Sequence, residues 1–149
     1  MRQWVLSVPY PLRFLFASRP EVMGAVLAIV YRVIASHLAR QAGFSTKRAH
    51  TGAVTLIQRF GGALNLNLHF HLLFLDGVYV AGPDGTLSLR WVTAPTSAEL
   101  TALAGRIASR VGGCLERQGL LERDAQSASL SELARDEEPM QGLLAHSMT

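Results

Sequence analysis

With 149 residues, 49% of them hydrophobic and 17% charged, the chain is long enough for one packed domain and too apolar to be disordered throughout. A single cysteine, Cys114, excludes an intrachain disulfide and any cysteine-rich zinc cluster, and fits a reducing, cytoplasmic setting. The net charge of +3 hides an asymmetry, since residues 1–75 hold eight Lys/Arg against one acid, Glu21, and residues 76–149 hold six against ten. A basic half suits a polyanion such as nucleic acid, although charges spread along a chain equally serve as a solvated face.

In chain order, Gln3 to Val8 reads as a short strand ended by a Pro9-Tyr10-Pro11 turn. Arg19-Pro20-Glu21 starts a helix that runs to about Ala42-Gly43, with Val22, Val26, Ile29, Val30, Val33, Ile34 and Leu38 on its apolar side. Ala53 to Phe60 is a second strand, and Gly61-Gly62 turns it into an antiparallel hairpin with the segment that follows. Val78-Tyr79-Val80 and Leu87 to Val92 form another hairpin across Pro83-Asp84-Gly85. Thr96 or Ser97 caps a helix from Ala98 to about Gln118, with Leu100, Leu103, Ile107, Val111 and Leu115 as one buried stripe.

After Gly119 the pattern decays into an acidic tail with at most short helices. The domain is thus 1–118, with 119–149 as a weakly structured extension. Pro9, Pro11 and Arg13 interrupt the apolar start, and Arg32 and His37 break the run Val22–Tyr31, so neither an export signal nor a membrane segment is expected. The fold class is α/β of the α+β kind, a largely antiparallel sheet with helices packed on one face.

The informative stretch is Asn65-Leu66-Asn67-Leu68-His69-Phe70-His71-Leu72. Side chains of a strand alternate faces, so Asn65, Asn67, His69 and His71 stand in a row on one side. Leu64, Leu66, Leu68, Phe70 and Leu72 fill the core on the other. Two neutral imidazoles on a rigid strand can grip one divalent metal, but two ligands are too few for tight binding. Gln58 on the neighbouring strand is the candidate third, because an amide oxygen suits Mg²⁺ or Mn²⁺. Asn67 is a candidate to orient a ligand.

His69-Phe70-His71 resembles the His-hydrophobic-His motif of the HUH single-strand endonucleases. Together with Trp4-Val5-Leu6-Ser7-Val8-Pro9, Gln58-Arg59-Phe60-Gly61 and the Asn-Leu-Asn-Leu run, it resembles the rolling-circle transposases of bacterial insertion sequences, from the first residues to about residue 118. The resemblance implies an HUH-like fold, Mg²⁺ or Mn²⁺ held by His69, His71 and a third polar ligand, and single-stranded DNA as partner. It further implies a tyrosine that attacks the scissile phosphate to form a 5′-phosphotyrosine link, with basic residues such as Arg48 and Arg59 following the DNA backbone.

One departure bears on activity. The family's nucleophilic tyrosines lie on a helix well downstream of the histidines, whereas this chain has Tyr10, Tyr31 and Tyr79 and none later. Tyr79 is the weak candidate, eight residues past the motif in a hairpin; Tyr31 reads as a packing residue. The cysteine-rich zinc module is also missing. These absences predict a truncated transposase domain, inactive by itself. Two alternatives stand beside it: a non-catalytic DNA-binding remnant, and a histidine-triad-like nucleotide hydrolase, whose motif would need a histidine where Asn67 stands.

Overall fold

The computed structural model describes residues 1–62, 65–123 and 128–130. Its elements follow as β1 (Arg2–Ser7), α1 (Tyr10–Ser18), α2 (Pro20–Gln41), β2 (Ala49–His50), β3 (Ala53–Phe60), β4 (Leu66–Phe74), β5 (Gly77–Ala81), β6 (Leu87–Trp91), α3 (Ser97–Arg117), β7 (Leu121–Arg123) and β8 (Ala128–Leu130). All strand pairs are antiparallel, and the mixed helices and antiparallel sheets make this an α+β fold, as the patterning predicts.

Strand β4 is the spine. It lies between β1 and β3, while β5 lies between β2 and β6. The two sheets are successive stretches of one bent ribbon: the β3–β4 ladder ends at Ala53–Phe74, and the β2–β5 ladder resumes at His50–Tyr79. The gap is bridged by the Leu75 amide donating to the Gly52 carbonyl (3.4 Å) and the Thr51 hydroxyl donating to the Gly77 carbonyl (3.1 Å).

Period-2 alternation sorts β4 cleanly. Leu68, Phe70, Leu72 and Phe74 are buried, and with Val78 and Val80 they join one cluster with Val26, Val30, Val33 and Ile34 of α2 and with Leu103, Ile107, Val111 and Leu115 of α3. Each such side chain contributes about 1.5–3 kcal/mol by leaving water. By length and composition α2 is long and apolar enough to cross a membrane, but ten of its residues are buried in this fold. Its apolarity is therefore accounted for by the core it builds.

Among the described residues, no helix covers the opposite face of the first sheet. Gln3, Val5 and Ser7 of β1 and Val54, Leu56 and Gln58 of β3 are all exposed there, on either side of half-buried His69, His71 and Leu73.

Four details differ from the sequence expectation. The Pro9-Tyr10-Pro11 segment opens α1 instead of ending in a turn, because a proline in the first helical turn sacrifices an amide that has no partner anyway. Asn65 precedes β4 and sits in the hairpin turn, where its amide donates to the Gly62 carbonyl and its carbonyl accepts from Gly61. Leu64 lies outside the described residues. Leu100 is 45% exposed while the rest of its stripe is buried. Beyond Gly119, where at most short helices are expected, β7 and β8 pair as a small hairpin.

Candidate functional site

Antiparallel register decides which side chains meet. Ser7 and Gln58 stand directly across from His69, on β1 and β3 respectively, and Val5 and Leu56 stand across from His71. Ser is short and reaches only straight across: its Oγ lies 2.9 Å from His69 Nδ1. Glutamine is long enough to reach the diagonal neighbour. Gln3, opposite Leu73, places Nε2 2.7 Å from His71 Nδ1, and Gln58 places Oε1 2.9 Å from His71 Nε2. Each imidazole is thus held at Nδ1 by β1, and His71 is held at both nitrogens.

The ring centroids of His69 and His71 are 6.4 Å apart and tilted by 60°. Among the described residues no three His, Cys, Asp or Glu side chains converge. The donors that could share one ion are therefore two imidazoles and an amide oxygen. An octahedral ion bound at about 2.1 Å has neighbouring donors about 3 Å apart. The 2.9 Å between His71 Nε2 and Gln58 Oε1 fits one such edge. His69 must swing inward from its bond to Ser7 to complete a third position. The donor set of two nitrogens and an amide oxygen suits Mn²⁺ or Mg²⁺ with water or phosphate oxygens in the remaining places.

The other residues singled out by the sequence lie elsewhere. Arg59 is next to Gln58, but its guanidinium turns to the helix side and donates to the Ala17 carbonyl at 3.4 Å. Arg48 sits in the turn before β2 with its guanidinium 5.5 Å from the Phe44 ring centre. Tyr79 belongs to the second sheet, opposite His50 and Leu89, outside the hydrogen-bonded group around His69 and His71. Tyr31 stacks on Phe74 and donates its hydroxyl proton to the Thr51 carbonyl at 2.9 Å, which is a packing role. Asn67 bonds neither imidazole and stands against Gly61.

Gln3 and Ser7 are the members that sequence reasoning missed. Their signal was present in the alternation Gln3, Val5, Ser7, but using it requires knowing that β1 pairs with β4 and in which register. Arg13 was missed too. It clamps the start of α1 to the sheet by donating from Nε to the Val8 carbonyl at 3.0 Å and from Nη1 to the Leu66 carbonyl at 3.5 Å.

His37 is a buried histidine of another sort. It is 4% exposed on α2, edge-on to Trp4, with Nε2 3.5 Å from a Glu99 carboxylate oxygen at the start of α3. Burial lowers its pKa, and Arg40 and Arg106 push the same way, while Glu99 raises it. A cleft of about 350 Å³ between β1, α1 and α3 is lined by Leu6, Val8, Phe16, Ile107, Val111 and Leu115, among others. It lacks titratable side chains and so offers packing space and no acid–base or metal chemistry.

No curated protein and no solved structure matches the chain. The Y2_Tnp family model, described as "Putative transposase", matches residues 52–139. That span is more than half of the chain; it takes in β3 to β6, both site histidines and α3, continues past residue 118, and leaves β1 with Gln3 and Ser7 outside. The chain belongs to this transposase family.

Proposed function

We propose that this chain is the metal- and DNA-binding part of a transposase that acts on single-stranded DNA, with His69, His71 and Gln58 holding Mg²⁺ or Mn²⁺ on the open face of the first sheet. The observation that carries the reading is the Gln58–His71 contact: a neutral oxygen donor and an imidazole nitrogen 2.9 Å apart on an uncovered face. When bound, the ion would neutralise charge developing on a phosphate and hold it for in-line attack. The chain's own part is to present the three donors from two paired strands, with Ser7 and Gln3 fixing the ring planes from the third. Exposed Val5, Val54 and Leu56 on the same face offer apolar surface to unstacked bases. A duplex hides its bases, so such a surface favours a single strand.

The attacking group is assigned to none of the three tyrosines. Tyr31 is committed to Thr51, Tyr79 stands in the second sheet, and the Tyr10 ring, at the start of α1, lies 5.7 Å from the Arg13 guanidinium carbon. Arg48 and Arg59 keep a proposed role in following the DNA backbone, although the Arg59 guanidinium turns away from the histidine face to the Ala17 carbonyl. A labelled single-stranded oligonucleotide, followed by anisotropy, tests the reading. We expect binding that strengthens with Mn²⁺, weakens with chelator and falls at least tenfold in His71→Ala, with no covalent adduct on denaturing gels. Binding indifferent to Mn²⁺ and to His71, or equal affinity for duplex, contradicts the proposal. A covalent adduct would place the nucleophile within this chain.

A further inference from the structure

We infer that Gln3 is a positioning residue that, together with Gln58, sets which nitrogen of His71 carries the proton, and through it how readily that ring accepts a divalent ion. The inference rests on the metal reading above and adds to it a control exerted from β1.

The logic starts at a backbone carbonyl, which can only accept. Gln58 Nε2 donates to the Phe60 carbonyl at 3.3 Å, so the amide nitrogen of Gln58 is turned there and its oxygen faces His71. An amide oxygen also only accepts. At 2.9 Å from it, His71 Nε2 must therefore carry the hydrogen. A neutral imidazole has one ring proton, which leaves Nδ1 as a bare lone pair, and a lone pair needs a donor. Gln3 Nε2 supplies it at 2.7 Å. The chain Gln3 → His71 → Gln58 → Phe60 carbonyl thus runs in one direction, and the carbonyl at its end fixes the sense of every link.

A metal ion requires the opposite tautomer, because it takes the Nε2 lone pair and leaves the proton on Nδ1. Gln3 must then turn its amide over so that Oε1 accepts from Nδ1–H, and Gln58 Oε1 is released to the same ion. His69 is under no such constraint: its partner is the Ser7 hydroxyl, which donates or accepts equally well. Of the two histidines, only His71 is held in the tautomer that excludes metal, fixed by the Gln58–Phe60 carbonyl link and completed from the other side by Gln3.

A carboxylate at this position cannot donate. Gln3→Glu should therefore hold the proton on Nδ1 and, as Gln58 turns its amide or gives up the contact, leave Nε2 without a proton, reproducing the carboxylate–histidine–metal arrangement that tunes many metal sites by 10–100-fold. Gln3 is exposed on β1, so the change does not disturb the core. The test combines two readouts on the full chain. Nitrogen-15 NMR of histidine-labelled protein without metal, at about pH 8 where ordinary imidazoles are neutral, reads the tautomer. Calorimetry with Mn²⁺ reads affinity.

We expect His71 as Nε2–H in the wild type and Nδ1–H in Gln3→Glu, with Mn²⁺ binding about tenfold tighter in the variant. The gain should vanish when Gln3→Glu is placed in a His71→Ala background. An unchanged tautomer overturns the inference. So does a gain that persists without His71, which would make the new carboxylate a ligand in its own right. If the tautomer follows residue 3 while no form binds Mn²⁺, the metal reading falls, the control of affinity falls with it, and the control of the His71 proton by Gln3 stands.

Discussion

Three histidines of this chain show how the same side chain is assigned different work by its surroundings. His69 and His71 stand half-buried on an uncovered sheet face with polar partners aimed at their nitrogens. His37 is enclosed between α2, Trp4 and the start of α3, where desolvation and two arginines outweigh the attraction of Glu99 and lower its pKa from 6.5. The unfolded chain then takes up the proton before the folded one does. Stability therefore rises with pH across the window that opens just below 6.5 and is lost as pH falls through it. Thermal unfolding measured between pH 7.5 and 5 should show a steeper decline in the wild type than in His37→Leu. Parallel profiles would mean that His37 does not sense the proton.

At the scale of elements, two local devices carry predictions. The Thr96 hydroxyl accepts the Glu99 amide proton at 3.1 Å and caps α3, so Thr96→Ala should cost about 1 kcal/mol, read as a fall of about 3 °C in the unfolding midpoint. Gly77, where β4 bends into β5, leaves no room for a Cβ, which would fall inside contact distance of the Arg90 carbonyl. Gly77→Ala should cost about 2 kcal/mol or more by prising β6 from β5, visible as lost amide protection in Leu87–Trp91. Unchanged protection would show that the hairpin shifts to accommodate the methyl group.

The cap at Thr96 and the core side of β4 were legible in the sequence because each depends on neighbours a few residues away. Helix α1 was not, since two prolines close together read as a turn, and only the packing of Phe14, Leu15 and Phe16 into the core shows that they open a helix. Gln58 was legible as a partner of the histidines through the Gly61-Gly62 hairpin. Gln3 and Ser7 were not, because more than sixty residues separate them from His71 and His69, and no local pattern sets the register of such a pair.

At the scale of the whole molecule, helices line one side of the ribbon, and among the described residues the other side is open. The edge strand β3 is exposed over nearly its whole length, with Val54, Leu56, Ile57 and Phe60 all open. A long apolar edge invites pairing with another chain, so Ile57→Lys should slow aggregation on concentration, followed by light scattering, without lowering the unfolding midpoint. Equal scattering from both proteins would put the sticky surface elsewhere.

The account depends most on whether His69 and His71, on the open sheet face, take a metal. The most direct measurement is calorimetric titration of Mn²⁺ into the folded chain beside a His69→Ala/His71→Ala double variant. Saturable binding in the wild type that disappears in the double variant is the result the account predicts. A folded wild type that binds no Mn²⁺, or a double variant that binds it equally, would contradict it.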